Sequence, residues 1–189
     1  MSKHIPSREE ALSLFLEYNK TQSLINHGKA VEAVMRHFAE LNGEAPEKWG
    51  IIGLVHDLDY EMYPDEHCSH TKIILEGLNW DDEYIRAVLS HAWGFCTDFE
   101  PITELEKTLY AVDELTGLIT AVALVRPSKS IMDVEVKSVK KKWKEKQFAA
   151  GANREVIEKG AAMLGIPIEE LIQHTIDGMK KVAADIGLQ

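Results

Sequence analysis

The sequence lacks the features that mark exported or membrane-inserted proteins. Its 189 residues include only two cysteines, Cys68 and Cys96, and these do not form a CxxC pair. We therefore expect reduced thiols rather than a disulfide framework. No stretch reaches the roughly 18 consecutive apolar residues of a membrane span, and residues 1–6 contain no apolar signal region. Together these absences predict a cytoplasmic protein that makes no membrane contact.

An excess of positive charge is also lacking. The formal net charge is −10, which argues against a nucleic-acid backbone as the main partner. The charge is uneven, because residues 1–125 contain 9 Lys and Arg against 22 Asp and Glu, whereas residues 126–189 contain 12 against 9. The change falls at Arg126-Pro127. We therefore predict a helical core over 1–125, with a basic helix and C-terminal helices over 126–189 packed on it as one domain.

Strand signals are missing as well, since the sequence has no alternating β-branched runs and no hairpin dipeptides. Apolar residues recur instead at helical spacing, and the capping boxes Ser7-Arg8-Glu9-Glu10 and Thr103-Glu104-Leu105-Glu106 mark two helix starts. The sequence predicts an all-α fold, a compact multi-helix bundle. Its predicted helices begin near Ser7 and then cover residues 21–41, 46–57, 67–76, 81–92, 103–126, 130–148, 153–164 and 167–186, with residues 59–66 as a loop.

One stretch carries the strongest chemical signal. The apolar run Ile51-Ile52-Gly53-Leu54-Val55 leads directly into His56-Asp57. At the end of a helix, neighbouring imidazole and carboxylate groups can turn toward one point in a cleft, and both are good ligands for a divalent first-row metal. The pair gains weight from four further residues in segments that read as helix, namely His27, His67, His91 and Asp113.

Asp113 is the most informative of these because it lies inside the apolar segment Tyr110-Ala111-Val112-Asp113-Glu114-Leu115. A buried carboxylate costs several kcal/mol unless it is paired or bound to metal. The alternative interpretation places Asp113 on a polar stripe of its helix together with Glu106 and Glu114. Both interpretations stay open from the spacing alone.

The sequence resembles the HD-domain superfamily of metal-dependent phosphohydrolases, in its small HDIG-type branch, over roughly residues 20–125. The matching motifs are His27-Gly28-Lys29-Ala30-Val31, Val55-His56-Asp57, His67 with Leu75 eight residues later, Ser90-His91 and Ala111-Val112-Asp113. The resemblance implies an HD-type metal-binding core and a one-ion site formed by His27, His56, Asp57 and Asp113. In members with two ions, two more histidines join, here His67 and His91, and Asp57 bridges. The implied cofactors are one or two divalent ions of Fe, Mn, Co, Ni, Zn or Mg.

The chain departs from the family at the frequent HDIGK motif, which reads His56-Asp57-Leu58-Asp59-Tyr60 here. The family's lysine can contact the substrate phosphate, and Tyr60 does not replace its charge. The candidate cations for this role are Lys72, Arg126 and Lys129. The basic segment 137–146 is a further candidate, either as a solvated helix face or as a rim that attracts an anion.

We therefore expect a metal-dependent phosphohydrolase that acts on a small anionic phosphate ester, such as a nucleotide. Asp57 would hold the ions, and Asp59 or Glu61 would act as an outer general acid or base. Two alternatives stay open. Some HD-fold proteins with this six-ligand set hold a di-iron centre and use oxygen, and a metal-stabilised module could instead sense a nucleotide without turnover.

Overall fold

The computed structural model describes residues 3–189, and this part of the chain is all-helical. It contains nine α-helices, one short 3₁₀ helix and no β-strand. In chain order these are α1 (Arg8–Tyr18), α2 (Gln22–Leu41), α3 (Pro46–Val55), the 3₁₀ helix (Pro64–Glu66), α4 (Ser69–Gly77), α5 (Asp82–Ser90), α6 (Glu104–Leu124), α7 (Val136–Trp143), α8 (Arg154–Leu164) and α9 (Ile168–Lys180). The all-α prediction is confirmed. Within the same residues, no helix has the length and apolar character needed to cross a bilayer.

Both predicted capping boxes form and explain where their helices begin. The Ser7 hydroxyl accepts the backbone N–H of Glu10, and the Glu10 carboxylate accepts the backbone N–H of Ser7. Thr103 and Glu106 make the same reciprocal bonds at the start of α6. Each box satisfies two helix N–H groups that have no partner within the helix.

The apolar core lies where α2, α3 and α6 meet. α2 packs along α3, and α6 packs against α2, α8 and α9. The side chains with no exposed surface include Val31, Val34, Met35, Ile51, Ile52, Leu54, Leu109, Leu115 and Ile119. Burial of each such side chain contributes roughly 1.5–3 kcal/mol. Apolar side chains therefore form the core, and polar residues of these helices can contribute to a functional site.

The structure corrects the predicted helix over residues 130–148, which is helical only in α7, Val136–Trp143. Arg154 supplies the physical reason. Its guanidinium donates hydrogen bonds to the carbonyls of Trp143, Phe148, Ala149 and Ala152. Because these carbonyls find partners without helical bonds, the segment 144–152 holds a fixed non-helical path.

Further helix boundaries differ from their predictions, and α3 and α6 each end two residues early, at Val55 and Leu124. α4 begins at Ser69 rather than at residue 67, because Cys68 has a φ of 69°, outside the right-handed helical region. α5 ends at Ser90, two residues early, which leaves His91 at its C-terminus. α9 ends at Lys180, and the turns that follow are tied to α2 where the Asn26 amide donates to the carbonyl of Ile186.

α6 and α8 approach each other closely at one glycine. A Cβ added to Gly160 of α8 would lie 2.5 Å from Cβ and 2.6 Å from Cα of Ala111 on α6. Ala111 precedes Asp113 by two residues. The absence of a side chain at Gly160 therefore lets α8 support the part of α6 that carries the candidate ligand.

Gly160→Ala is expected to destabilise the fold by roughly 1–3 kcal/mol, because backbone atoms of α6 cannot rotate away from the new methyl group. The matched control is Gly77→Ala at the exposed end of α4, where an added Cβ meets nothing within 4 Å. This change should be neutral or slightly stabilising. Urea unfolding measures both variants, and equal free energies of unfolding would contradict the close approach of α6 and α8.

Candidate metal centre

The structure brings all six predicted metal ligands into one cluster. His56 and Asp57 directly follow α3, and His91 directly follows α5. The remaining three come from the segment before α4 (His67), from within α2 (His27) and from within α6 (Asp113). Since five separate segments contribute, the cluster exists only when these helices pack together.

Four of the residues form one group, which we call site A: His27, His56, Asp57 and Asp113. Nε2 of His27 lies 3.2 Å from Nε2 of His56 and 3.0 Å from Oδ1 of Asp113. Nε2 of His56 lies 3.2 Å from the same Asp113 oxygen and 3.3 Å from Oδ2 of Asp57. Ligand atoms held about 2.1 Å from one ion lie roughly 3.0–3.4 Å apart. These four separations therefore fit a coordination shell, whereas Nε2 of His27 lies further, 3.8 Å, from Oδ2 of Asp57.

The second group, which we call site B, contains His67, His91 and the other oxygen of Asp57. The Nε2 atoms of the two histidines lie 3.1 Å apart. Oδ1 of Asp57 lies 3.4 Å from Nε2 of His67 and 3.5 Å from Nε2 of His91. The two oxygens of Asp57 thus face different groups, which is the arrangement that a carboxylate bridging two ions requires.

The outer nitrogens of two rings fix which atom faces the cluster. Nδ1 of His56 lies 2.7 Å from the carbonyl of Gly53, and Nδ1 of His91 lies 2.6 Å from the carbonyl of Val88. A carbonyl oxygen only accepts, so both Nδ1 atoms carry a proton and donate it. In the neutral rings, Nε2 then presents a lone pair to the cluster. Gly53 and Val88 lie at the ends of α3 and α5, where carbonyl groups lack the usual partner four residues later, although the Val88 carbonyl also accepts the backbone N–H of His91 at 3.4 Å.

Asp59 is the hydrogen-bond partner of the outer ring nitrogen of His67, as the carbonyls of Gly53 and Val88 are for His56 and His91. Its side chain is fully buried, with one carboxylate oxygen 2.7 Å from Nδ1 of His67 and the other accepting the backbone N–H of Thr71. Burial alone would raise the pKa of Asp59, but the bonds from His67 and Thr71 hold it below its ordinary value. The structure therefore makes Asp59 an anionic partner that orients His67, in place of the predicted outer acid or base.

The lone pairs of the cluster repel one another unless positive charge lies among them. Burial by itself lowers the pKa of His56, but the carboxylates of Asp57 and Asp113 raise it well above its ordinary value. Burial likewise raises the pKa of Asp113, yet His56 and His27 hold it below its ordinary range. Positive charge is therefore strongly favoured at this point, as a cation site requires.

The cluster opens into a cavity of about 450 Å³. Its lining consists of the ligands His27, Asp57, His67, His91 and Asp113, together with Tyr60, Ala92, Phe95, Cys96, Glu114, Gly117, Ala149, Gly151, Ala152 and Val156. Tyr60 and Phe95 are also exposed to solvent and so mark its mouth. Among residues 3–189, the lining includes no lysine or arginine. The cavity is large enough for a small molecule.

Glu114 is the cavity residue that the sequence did not single out for function. Its side chain lines the cavity, and Oε2 accepts the backbone N–H of Asn153 at 3.0 Å. Burial and the neighbouring Asp113 raise the pKa of Glu114. The available sequence signal was its position directly after Asp113, but the same position equally fits a solvated stripe.

The remaining predicted site residues do not line the cavity. Glu61 instead binds the start of α2, where its carboxylate accepts the backbone N–H groups of Lys20 and Thr21. Lys72 is exposed and lies 3.9 Å from Glu76, and Arg126 binds Asp133 and Ser138. Lys129 is exposed in a turn with a φ of 52°. None of these four side chains is therefore placed for acid–base chemistry or anion binding in the cavity.

The basic segment 137–146 also lies outside the lining. Three of its lysines pair with carboxylates: Lys137 with Glu135, Lys140 with Glu169 and Lys142 with Glu145. Ion pairing of this kind is typical of a solvated helix face. If segment 137–146 instead forms a rim that attracts an anion, only those of its lysines that have no such partner are available for this role.

Comparison with protein-family models gave no match for the chain, and comparisons with curated proteins and with solved structures gave none either. The resemblance to HD-domain proteins therefore rests on the residues quoted above and stays a prediction.

Wild-type protein is expected to bind two divalent ions, and His67→Ala and His91→Ala are each expected to bind about one. Each variant removes one of the two imidazoles of site B while site A keeps its four ligands. The control is His70→Ala, whose ring stacks on Tyr63 outside the cluster and which should still bind two. Metal analysis after dialysis measures the stoichiometry. Saturation of the wild type at one ion would contradict site B.

Asp59→Asn should weaken the ion at site B by roughly 10–100-fold and leave site A unchanged. Both carboxylate oxygens of Asp59 accept hydrogen bonds, whereas an asparagine has only one acceptor oxygen and would turn an NH₂ group toward a donor. Glu61→Gln, a carboxylate two residues away that binds α2, is the matched control. Competition with a metal chelator measures both affinities, and unchanged binding in Asp59→Asn would show that this bond does not orient His67.

Proposed function

We propose that the protein is a metal-dependent phosphohydrolase of the HD-domain superfamily, with one divalent ion at site A and one at site B. The observation that carries the proposal is the position of Asp57. Its Oδ2 lies 3.3 Å from Nε2 of His56, and its Oδ1 lies 3.4 Å from Nε2 of His67. A pair of ions that share a carboxylate is a common device for phosphoryl transfer to water.

The composition of the ligand set narrows the choice of ion. Four imidazoles and two carboxylates suit Fe, Mn, Co, Ni or Zn. Mg²⁺ prefers oxygen ligands and retains several waters, so an imidazole-rich set argues against it. The hydrogen bonds from His56, His67 and His91 to Gly53, Asp59 and Val88 further support metal binding, because they fix each ring with Nε2 toward the ions.

The reaction adds a water oxygen to phosphorus and breaks the ester P–O bond. One proton leaves the water and one joins the departing oxygen, so the products are inorganic phosphate and an alcohol. Bound ions supply an acidified water and offset the charge that develops on the phosphoryl oxygens. The chain's contribution is to hold the six ligand atoms in place and to shape the cavity around the ester. The cavity is open to solvent at Tyr60 and Phe95, so bulk water can supply and accept protons.

A di-iron oxygenase is the second candidate, and one observation favours it. In the described part of the chain, residues 3–189, the cavity lining contains no lysine or arginine, whereas many phosphate sites use such side chains to bind the phosphoryl group. The same ligand set would hold two irons, because imidazole and carboxylate serve Fe as well as Zn or Mn. Oxygen consumption and an iron redox signal would accompany that activity.

Protein freed of metal and reconstituted with Mn, Fe, Co, Ni or Zn is expected to release inorganic phosphate from simple phosphomonoesters. Asp57→Ala should abolish this release, because both ions lose a ligand, whereas Asp65→Ala in the exposed 3₁₀ helix should have no effect. Circular dichroism checks that both variants stay helical.

Three results would contradict the proposal. Metal binding without phosphate release from any ester excludes the hydrolase. If oxygen consumption and an iron redox signal accompany that result, the di-iron alternative takes its place. If the protein binds a nucleotide but turns nothing over, it is the sensing module.

A further inference from the structure

The cavity beside the metal centre has an unusual charge distribution for a protein that would bind phosphate esters. Within residues 3–189, the carboxyl groups of the lining belong to Asp57, Asp113 and Glu114, and none of the lining side chains is a lysine or arginine. Residues 1–125 contain 9 Lys and Arg against 22 Asp and Glu, so the surrounding field is also negative. Any cationic help for an anionic substrate must therefore come from the ions themselves.

Two divalent ions would bring four positive charges, of which the carboxylates of Asp57 and Asp113 offset two. The remainder, about two positive charges, matches one phosphoryl dianion. A second phosphoryl group would extend into a cavity that offers it the carboxyl group of Glu114 and no cation. A desolvated charge without a partner is costly. The charge distribution therefore disfavours diphosphates and triphosphates.

Among residues 3–189, Glu114 provides the carboxyl group of the cavity lining that does not belong to a candidate ligand. Oε2 accepts the backbone N–H of Asn153, and this bond turns the carboxyl group toward the cavity. Within residues 3–189, Oε1 has no hydrogen-bond donor from the protein. An acceptor held in a partly buried cavity in this way fits a donor on the bound molecule.

The rest of the wall is small and apolar. Ala149, Gly151, Ala152 and Val156 line the side of the cavity contributed by the C-terminal part of the chain. Arg154 holds this segment through hydrogen bonds to four backbone carbonyls, so the wall is fixed rather than adaptable. Such a wall accommodates a short carbon skeleton between the ions and Glu114.

We propose that the site selects phosphomonoesters with one phosphoryl group and a short carbon skeleton that carries a hydrogen-bond donor, an ammonium or a hydroxyl group, for which Glu114 is the acceptor. This inference rests on the proposed phosphohydrolase function. Glu114 is then a specificity residue that contacts the substrate away from the phosphorus.

The test uses the reconstituted full-length protein and a matched set of esters: propyl, 3-hydroxypropyl, 3-aminopropyl and 3-carboxypropyl phosphate, and propyl diphosphate. Wild type should use 3-aminopropyl phosphate with a kcat/KM about 10–100-fold above that for propyl phosphate, since a hydrogen bond between charged groups discriminates by about this factor. The carboxypropyl ester and the diphosphate should be poorer substrates than propyl phosphate.

Glu114→Gln separates recognition from chemistry. The glutamine oxygen can still accept the N–H of Asn153, but its NH₂ group cannot accept from an ammonium group. The preference for 3-aminopropyl over propyl phosphate should fall to near onefold. The matched control, Glu158→Gln on the exposed side of α8, should keep the full preference. Calorimetric binding of 3-aminopropyl and propyl phosphonate, which are not hydrolysed, gives the same comparison without turnover.

The outcomes distinguish this inference from the function on which it rests. If all the monoesters are hydrolysed with equal efficiency, or if Glu114→Gln keeps the ammonium preference, the specificity is wrong and the hydrolase stands. Equal or better use of the diphosphate would also overturn the inference. If no ester releases phosphate and no phosphonate binds, the proposed function fails and the inference fails with it.

Discussion

The interaction on which the rest of the site depends is the mutual repulsion of lone pairs around Asp57. His56 and His91 both commit their Nδ1 protons to backbone carbonyls, so their Nε2 atoms meet carboxylate oxygens at 3.3 Å and 3.5 Å without a proton between them in the neutral state. Such an arrangement is stable only when positive charge lies within it. The fold must therefore hold the ligands together with energy that comes from elsewhere.

That energy comes from an apolar core that lies beside the cluster. α3 is buried from Trp49 to Val55, where it stops, so that His56 and Asp57 emerge where helical hydrogen bonding ends. α5 stops at Ser90 and leaves His91 in the equivalent position. Helix ends suit the positioning of these histidines. Carbonyl groups of the last turn lack the usual partner four residues later and can accept the outer ring proton, while the apolar face of the helix stays packed. His27 and Asp113 are exceptions because they lie within α2 and α6, and the close approach of Gly160 supports α6 from behind.

The parts of the structure that could be predicted from sequence were those specified locally or by pattern. The capping boxes, the helical periodicity and the six ligand positions are all visible as short motifs, and the structure brings the six together. Three features could not be predicted because their partners are distant along the chain or lie in irregular segments. Residues 144–152 are non-helical because of Arg154, Asp59 is recognised as the partner of His67 only in three dimensions, and Lys72 faces solvent although its helix follows a ligand. Periodicity carries no information on these contacts.

The chain divides two tasks between its two parts. The six candidate ligands come from residues 27–113, whereas residues 149–156 contribute a further part of the cavity lining, held by Arg154 and by the bond between Asn153 and Glu114. Under the proposed function, the wall would meet the organic part of a substrate without touching the ions. Changes within residues 149–156 should alter which ester fits while metal affinity stays constant, and changes at the ligands should do the reverse. Glu114 connects the two parts, because it follows the ligand Asp113 on α6 and binds the segment that forms the wall.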